Sequence, residues 1–394
     1  MAGVNSMELN DVYVLLNSLH NQVTGRNAIQ PTDLTSFVSQ ATTTLQAGTD
    51  TVYNTLMQTI GKTVFSSRPY EQRFGGLRAD STVWGGITRK ITMADSDLGE
   101  EKAFHPQEND SVDQWVIKKG EVLETRFYGS DVYQDHFTVF ETQLKNAFES
   151  PAQLGSFVAT KTSEMNNKWV QYQEELSRML LCNLVGAKAD NSTTYPDHII
   201  HLLSEYNTLT GSTLTAQDVY KPDNIAPFFR FVRSRVNTIS RRMAERSEKY
   251  QFKIRNLKIN RHSPINRQKI YLSADALDII DSMVLTQTYH DEPLRYADVQ
   301  AVSYWQAIDN PMSVSVKPNY INSAGTVVNA SNNVVVDNVF GVIFDDESLL
   351  YNVKDYKLTN TGLNARGLYY NTYLTANIQY LQDLTEKSVV LKLD

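Results

Sequence analysis

The 394-residue chain has a single cysteine, Cys182. This excludes an intramolecular disulfide framework and a cysteine-built zinc site, and it suits a protein made in a reducing cytosol. No window approaches 18 uninterrupted apolar residues, so nothing reads as a membrane span. The opening MAGVNSMELNDVYVLL has no basic segment leading through an apolar run to a small-residue cleavage site, so no signal peptide is read. Positive charge is in deficit. The 37 Lys and Arg against 44 Asp and Glu leave a net −7, the reverse of the balance usual for a dedicated nucleic-acid binder. G-x-S-x-G, the P-loop and G-x-G-x-x-G are all missing, which removes the common nucleophile and phosphate-cradling motifs.

Metal chemistry fares no better. DSDLGEE (95–101) has four carboxylates but not the twelve-residue calcium-loop layout. The seven histidines never form the His-Glu pattern of a zinc protease; His198 and His201, three apart, read as a surface pair that could share a helix face. Asp345, Asp346 and Glu347 could serve a sugar hydrolase as paired carboxylates, the weakest of the readings weighed. No cofactor is expected.

What is present is a mixture of strong helices and β-rich runs. Met7 to His20 places Leu9, Val12, Tyr13, Leu16 and Leu19 on one side at helical spacing, and 34–60 repeats the pattern among Thr and Gln. These first sixty residues look like an arm. VWGGITRKITM (83–93) and DQWVIKKGEVLETRFYG (113–129) alternate as a long β-hairpin, with acids at 95, 97, 100, 101, 108 and 110 between them. Such a hairpin is marginal without outside support.

Ser150 is a good N-cap ahead of Pro151, and 156–185 has neither Gly nor Pro, which predicts a thirty-residue spine helix stopped by Gly186. Cys182, near its end, reads as a buried inert thiol. Residues 187–222 read as irregular, 227–250 and 275–288 as helices, and 268–274, 312–317, 334–346 and 368–382 as strands. The intermixing is an α+β pattern.

Charge is strongly segregated. Between Arg230 and Lys269 lie 13 cations and two acids, +11 in a chain of net −7, which leaves −18 elsewhere. Arg230, Arg233, Arg235, Arg241, Arg242, Arg246, Lys249 and Lys253 form the front of this stretch, which faces either DNA or an acidic neighbouring subunit, or is a solvated helix face.

The order of arm, extended β-loop, long helix, central α/β region and closing β segment resembles that of tailed-bacteriophage major capsid proteins, the Hong-Kong-97-like fold. NARGLYYNTYL (364–374), QYLQDLTEKSVVLKLD (379–394) and VFGVIFDDESLLY (339–351) are similar to the closing segments of podophage and gut-phage members. SRPYEQRFGGL (67–77) and FYGSDVYQDHFTVFETQLKNAF (127–148) resemble the flanks of their β-loop.

The resemblance implies an arm (1–66), an extended β-loop with flanks (67–130), a peripheral domain with the spine helix (131–190), an axial domain (191–333) and a returning β segment (334–394). It implies a non-enzymatic tile that self-assembles as hexamers and pentamers into an icosahedral shell around double-stranded DNA. Such a shell is put together in the bacterial host cytoplasm and ends as the virion capsid. A cargo-enclosing nanocompartment shell of the same fold is the runner-up. Arm and β-loop would complete their burial on other copies, with Trp84, Phe104 and Trp115 as the contact residues expected on the hairpin. The arm starts at Met1, so a separate scaffolding protein, or none, is expected, beside a portal and decoration proteins. Lys90, Lys102, Lys118 and Lys119 match no motif that would assign the crosslinks of some members.

Overall fold

A computed structural model of the chain describes residues 9–25, 34–46, 48–56, 74–78, 87–96, 107–109, 111, 115, 117, 119–128, 131–255, 257–287 and 298–394. Its organising element is one helix, α5 (Pro151–Asp190). Ser150 caps it, its side chain accepting from the Gln153 N–H at 3.3 Å, and Pro151 occupies the first turn, where a missing N–H costs nothing. At 1.5 Å per residue its 40 residues span about 60 Å. The helix therefore runs through Gly186 instead of stopping there. A Cβ at Gly186 would collide with the Val316 side chain and crowd Pro318, so this glycine admits a neighbouring strand, and the signal read as a stop is a packing site.

Beside the second half of α5 lies a five-stranded sheet built from β4 (Ile199–His201), β5 (Gln268–Ser273), β6 (Asp298–Val302), β11 (Val339–Asp345) and β14 (Ser388–Lys392). Its order is β4-β14-β11-β5-β6, antiparallel around β11 and parallel at both edges. Every residue of β11 is buried, as a central strand covered on both faces requires. Alternate side chains feed two cores. Val342, Phe344, Tyr271 and Val390 meet Leu176, Leu180, Leu184 and Val185 of α5. Ile343, Ile270, Leu272 and Val389 meet α7 (Pro222–Ala244) and α8 (Ala274–Gln287) through Phe229, Val232, Val236, Ile239, Ala276 and Ile280.

Three local expectations are corrected here. Helix α7 begins at Pro222, with Pro227 inside it. The span 187–222 contains β4 and α6 (Leu202–Thr210). The run 334–346 is two strands, because Asn338 turns left-handed (φ 57°) and sends β10 (Val334–Val336) to pair with β7 (Val314–Val316). A hairpin of β8 (Asn319–Ile321) and β9 (Val327–Asn329) completes this excursion over α5.

The first half of α5 carries the other sheet, in the order β12 (Leu349–Asn360), β13 (Tyr369–Gln382), β3 (Asp131–Phe140), all antiparallel. Tyr370 and Leu374 of β13, Val139 of β3, Leu144 of the short α4 (Glu141–Ala147) and Leu154 and Val158 of α5 form a third core. The N-terminal helices close it: α1 (Leu9–Thr24) with Val12, Leu16 and Leu19, α2 (Leu34–Gln46) with Phe37 and Ala41, and α3 (49–56) with Val52, Tyr53 and Leu56. Tyr53 stacks on Tyr370 at 4.2 Å between ring centres, and its hydroxyl lies 2.6 Å from Thr372 Oγ1. Among the described residues most of the arm's apolar stripes are thus buried within their own chain, which corrects the expectation that another copy covers them. Amphipathic periodicity says that a face is buried; it does not say by whom.

Candidate functional site

The β-loop lays one side of its stem on its own body and leaves the other exposed. Its stem pairs β1 (Ile87–Met93) with β2 (Val122–Tyr128), Lys90 opposite Thr125 and Met93 opposite Val122. Residues opposite one another in an antiparallel pair share a face, so the ribbon has two distinct sides. On the inner side Leu123 and Thr125 are buried; Leu123 packs on Ile254 and Ile259 of the body. On the outer side Ile91, Met93 and Val122 are 66%, 68% and 53% exposed, flanked by Arg89, Glu124 and Arg126. Arg126 forks onto Glu124 at 2.8 and 3.0 Å. Beyond the stem, Trp115 and Ile117 are 82% and 83% exposed. Large exposed apolar side chains on one side of the stem, with two more beyond it, mark an interaction surface. Trp84 and Phe104, expected beside Trp115, lie outside the described residues.

The base of the ribbon is tied to the body by charge. Lys90 reaches Glu347 and Asp383, each at 3.0 Å, and also Glu386. Burial by itself would lower the pKa of this ammonium; the Asp383 and Glu386 charges outweigh it and hold the group well above its ordinary value. Glu347, between Lys90 and Arg267, is held down at about 2 against the upward push of its own burial. Asp95, just past β1, accepts from the Asn260 N–H at 2.7 Å and pairs with Arg246, while its own N–H donates to the Lys258 carbonyl at 2.7 Å.

The structure disperses the basic stretch. Arg235 forks onto Glu205 at 2.6 and 2.7 Å, Lys253 pairs with Glu248 at 2.6 Å and Arg246 with Asp95. Arg261 pairs with Glu386, and Arg267 with Asp346 and Glu347. Arg230, Arg241, Arg242 and Lys249 are exposed, and Arg233 is half-buried on α7. Eleven residues of helix bring Arg230 and Arg241 to one face about 16 Å apart. The carboxylates weighed for a hydrolase are consumed in the same networks: Asp345 accepts from the Ser263 hydroxyl at 2.5 Å, and Asp346 and Glu347 hold Arg267.

Nor are the two histidines a surface pair. His198 is buried, its Nε2 3.2 Å from the Gln251 carbonyl, whereas His201 ends a strand and lies 2.6 Å from Asp394. Among the described residues no group of three or more His, Cys, Asp or Glu is arranged to hold a metal, and no helix is long and apolar enough to cross a membrane. The pocket that receives Lys90 escaped sequence reasoning. Asp383 and Glu386 sit in the turn between β13 and β14, and no local pattern ties them to a lysine almost 300 residues away.

The architecture and the chain's relatives agree. Residues 15–391 match the family model of the Phi29-like phage major capsid protein. The chain belongs to this family. Phi29-like major capsid proteins form the head shell of the virion; their role is structural, not enzymatic, and copies of one chain assemble with one another.

Solved phage structures are similar to the chain to differing degrees. A structure of the head fiber and inner core protein of bacteriophage P68 superposes with a TM-score of 0.52 at 10% identity, covering 82% of this chain and 84% of that one. The capsid of Staphylococcus phage Andhra gives 0.48 at 11% identity over 82% and 84%, and the head of Helicobacter pylori bacteriophage KHP40 gives 0.42 at 10% over 81% and 87%. No curated protein matches the chain. Membership of this family sets the nanocompartment reading aside in favour of a phage head.

Proposed function

We propose that copies of this capsid protein join through the β-loop, with Ile91, Met93 and Val122 on the outer side of its stem, and Trp115 and Ile117 beyond the stem, seated on a neighbouring copy. One observation carries the reading: the inner side of the same ribbon packs on its own chain, whereas among the described residues Ile91, Met93 and Val122 on the outer side stay exposed. Trp is the side chain most often dominant at an interface. Repetition of one patch under closed symmetry builds hexamers and pentamers, and from them an icosahedral shell. In this reading residues 1–66 and 67–130 act as arm and β-loop, 131–190 as the peripheral domain, 191–333 as the axial domain and 334–394 as the returning segment. The test is Trp115→Ala combined with Ile91→Ser, examined by electron microscopy and sedimentation. Folded subunits that no longer form shells are expected; shells of normal size and yield overturn the assignment.

The enclosed partner is double-stranded DNA, held without sequence preference, and scaffolding, portal and decoration proteins complete the head. Arg230, Arg241 and Arg242, which have no ion pair among the described residues, are offered to an anionic surface. Replacing all three with Gln separates the alternatives. Heads that form but retain less DNA assign the ridge to the genome, failure to form heads assigns it to a neighbouring copy, and no change in either leaves it a solvated face.

A further inference from the structure

The side of the β-loop that faces its own body is joined in an unusual proportion. Its apolar content among the described residues is small: Leu123 against Ile254 and Ile259, with Ala94, Leu257 and Ile321 at the margin. A cavity of about 10 Å³ interrupts the seam, lined by Leu123, Gln251, Ile259 and Arg261, and the buried Gln251 Oε1 and Arg261 Nε beside it have no hydrogen-bond partner among the described residues. Two neutral hydrogen bonds add to the seam, the Gln379 amide donating to the Phe127 carbonyl at 3.1 Å and the Asp95 N–H to the Lys258 carbonyl at 2.7 Å, and charge supplies the side-chain ties of β1. Lys90 projects from the middle of β1 onto Asp383 and Glu386, which are 2% and 6% exposed, and onto Glu347. Arg261, itself in the body, pairs with Glu386 and donates to the Thr385 hydroxyl at 2.9 Å beside this pocket, and reaches across to Thr92 of β1 at 3.3 Å. Arg246 and the Asn260 N–H hold Asp95 at the end of β1.

The carboxylates come from turns anchored elsewhere. Glu347 belongs to the turn from β11 to β12, and Asp383 and Glu386 to the turn from β13 to β14. Arg267 balances Glu347 and Asp346 from the far side, and the Asp345 carboxyl behind them is bonded to Ser263. The keeper therefore belongs to the central sheets, and withdrawing Lys90 would break no strand pairing within them.

We propose that the β-loop is latched to the body by charge, with Lys90 as the bolt and the Glu347–Asp383–Glu386 pocket as its keeper, so that the ribbon undocks as a unit while the sheets beneath stay folded. Oily seams open by exposing area, whereas an ionic one opens by withdrawing a tethered cation; partnered, that cation is well held, and its removal takes from the buried Asp383 its ion-pair partner while Glu386 keeps Arg261 and Glu347 keeps Arg267. The inference concerns the inner side of the ribbon and stands apart from the assembly contact assigned to the outer side, so each can fail alone.

The experiment is hydrogen–deuterium exchange on the unassembled full-length subunit, comparing peptides over 87–93 and 122–128 with a peptide over 339–345. Lys90→Met, which keeps an aliphatic stem and removes the charge, is expected to speed exchange in the ribbon at least about tenfold with the 339–345 peptide unchanged. Lys90→Arg is expected to restore most of the protection. Unchanged ribbon exchange in Lys90→Met overturns the latch, and so does a parallel rise in both peptides, because the ribbon would then open only with the core. Should Lys90→Met fail to fold, the surface variant Arg246→Gln serves. It cuts the tie to Asp95, and a ribbon-limited increase supports the latch while no increase refutes it.

Discussion

Lys188 is the most exposed to contradiction of all the residues on the spine helix, because the sign of its effect reverses with pH. It lies in the last turn of α5 with no accessible surface. Its ammonium donates to the Tyr250 carbonyl at 3.2 Å and sits 4.8 Å from the centre of the Phe252 ring. Burial pulls its pKa from 10.5 down to about 7, only partly opposed by the Asp197 charge. Between those two values the unfolded chain binds the proton and the folded chain releases it, so stability rises with pH by up to about 1.4 kcal/mol per pH unit from this group. The penalty is fully present below pH 7 and gone above about 10.5; at 1.36 kcal/mol per decade it amounts to roughly 4 kcal/mol near neutrality.

Lys188→Met fills the same space without a charge but strands the Tyr250 carbonyl, which costs about 1–3 kcal/mol. The variant is therefore expected to be more stable than the parent by about 1–3 kcal/mol at pH 7, with the gap closing and then inverting as pH approaches 10. Urea unfolding of the unassembled subunit at pH 7, 8.5 and 10 measures this. The range stays clear of His198, whose burial beside Lys188 lowers its pKa to about 2 and confines its own penalty to acid pH. A variant less stable at pH 7, or a gap that does not move with pH, refutes the reasoning.

Gly186→Val is expected to destabilise by about 1–3 kcal/mol despite a better helix residue, because the new side chain meets Val316; the thermal midpoint reads it, and a neutral or raised midpoint would show that β7 yields. At the arm, Tyr53→Phe loses only the bond to Thr372 and is expected to cost about 1 kcal/mol, whereas Tyr53→Ala empties a fully buried site and is expected to cost about 3–5 kcal/mol. Limited proteolysis should then cut the arm of the Ala variant first, and equal resistance in both would mean that the arm is held elsewhere. Cys182, buried with its thiol pushed up to about 12, is expected to resist thiol reagents until the subunit unfolds; rapid native labelling would contradict its burial.

Short-range pattern was enough for the elements themselves. The Gly- and Pro-free span of 156–185 announced a spine helix, the three- and four-residue spacing of Phe229, Val232, Val236 and Ile239 announced α7, and alternation in 368–382 announced β13. The order of these elements, together with the closing motifs, was enough for the family resemblance. Partnership was not legible in the same way. Gly186 reads alike as a helix stop and as a close approach, and only the strand at Val316, some 130 residues later, distinguishes them. The arm's stripes are covered by Tyr370 and Leu374 from the far end of the chain. Of the thirteen cations in one stretch, Arg235, Arg246, Arg261 and Arg267 go into separate ion pairs with Glu205, Asp95, Glu386 and Glu347, while Arg230, Arg241 and Arg242 stay exposed.

Backbone preference and amphipathic period are properties of a few neighbouring residues, so a sequence carries them openly. Which charge meets which, and which apolar face is already covered, depend on contacts between residues tens to hundreds of positions apart, and those exist only once the chain has closed on itself.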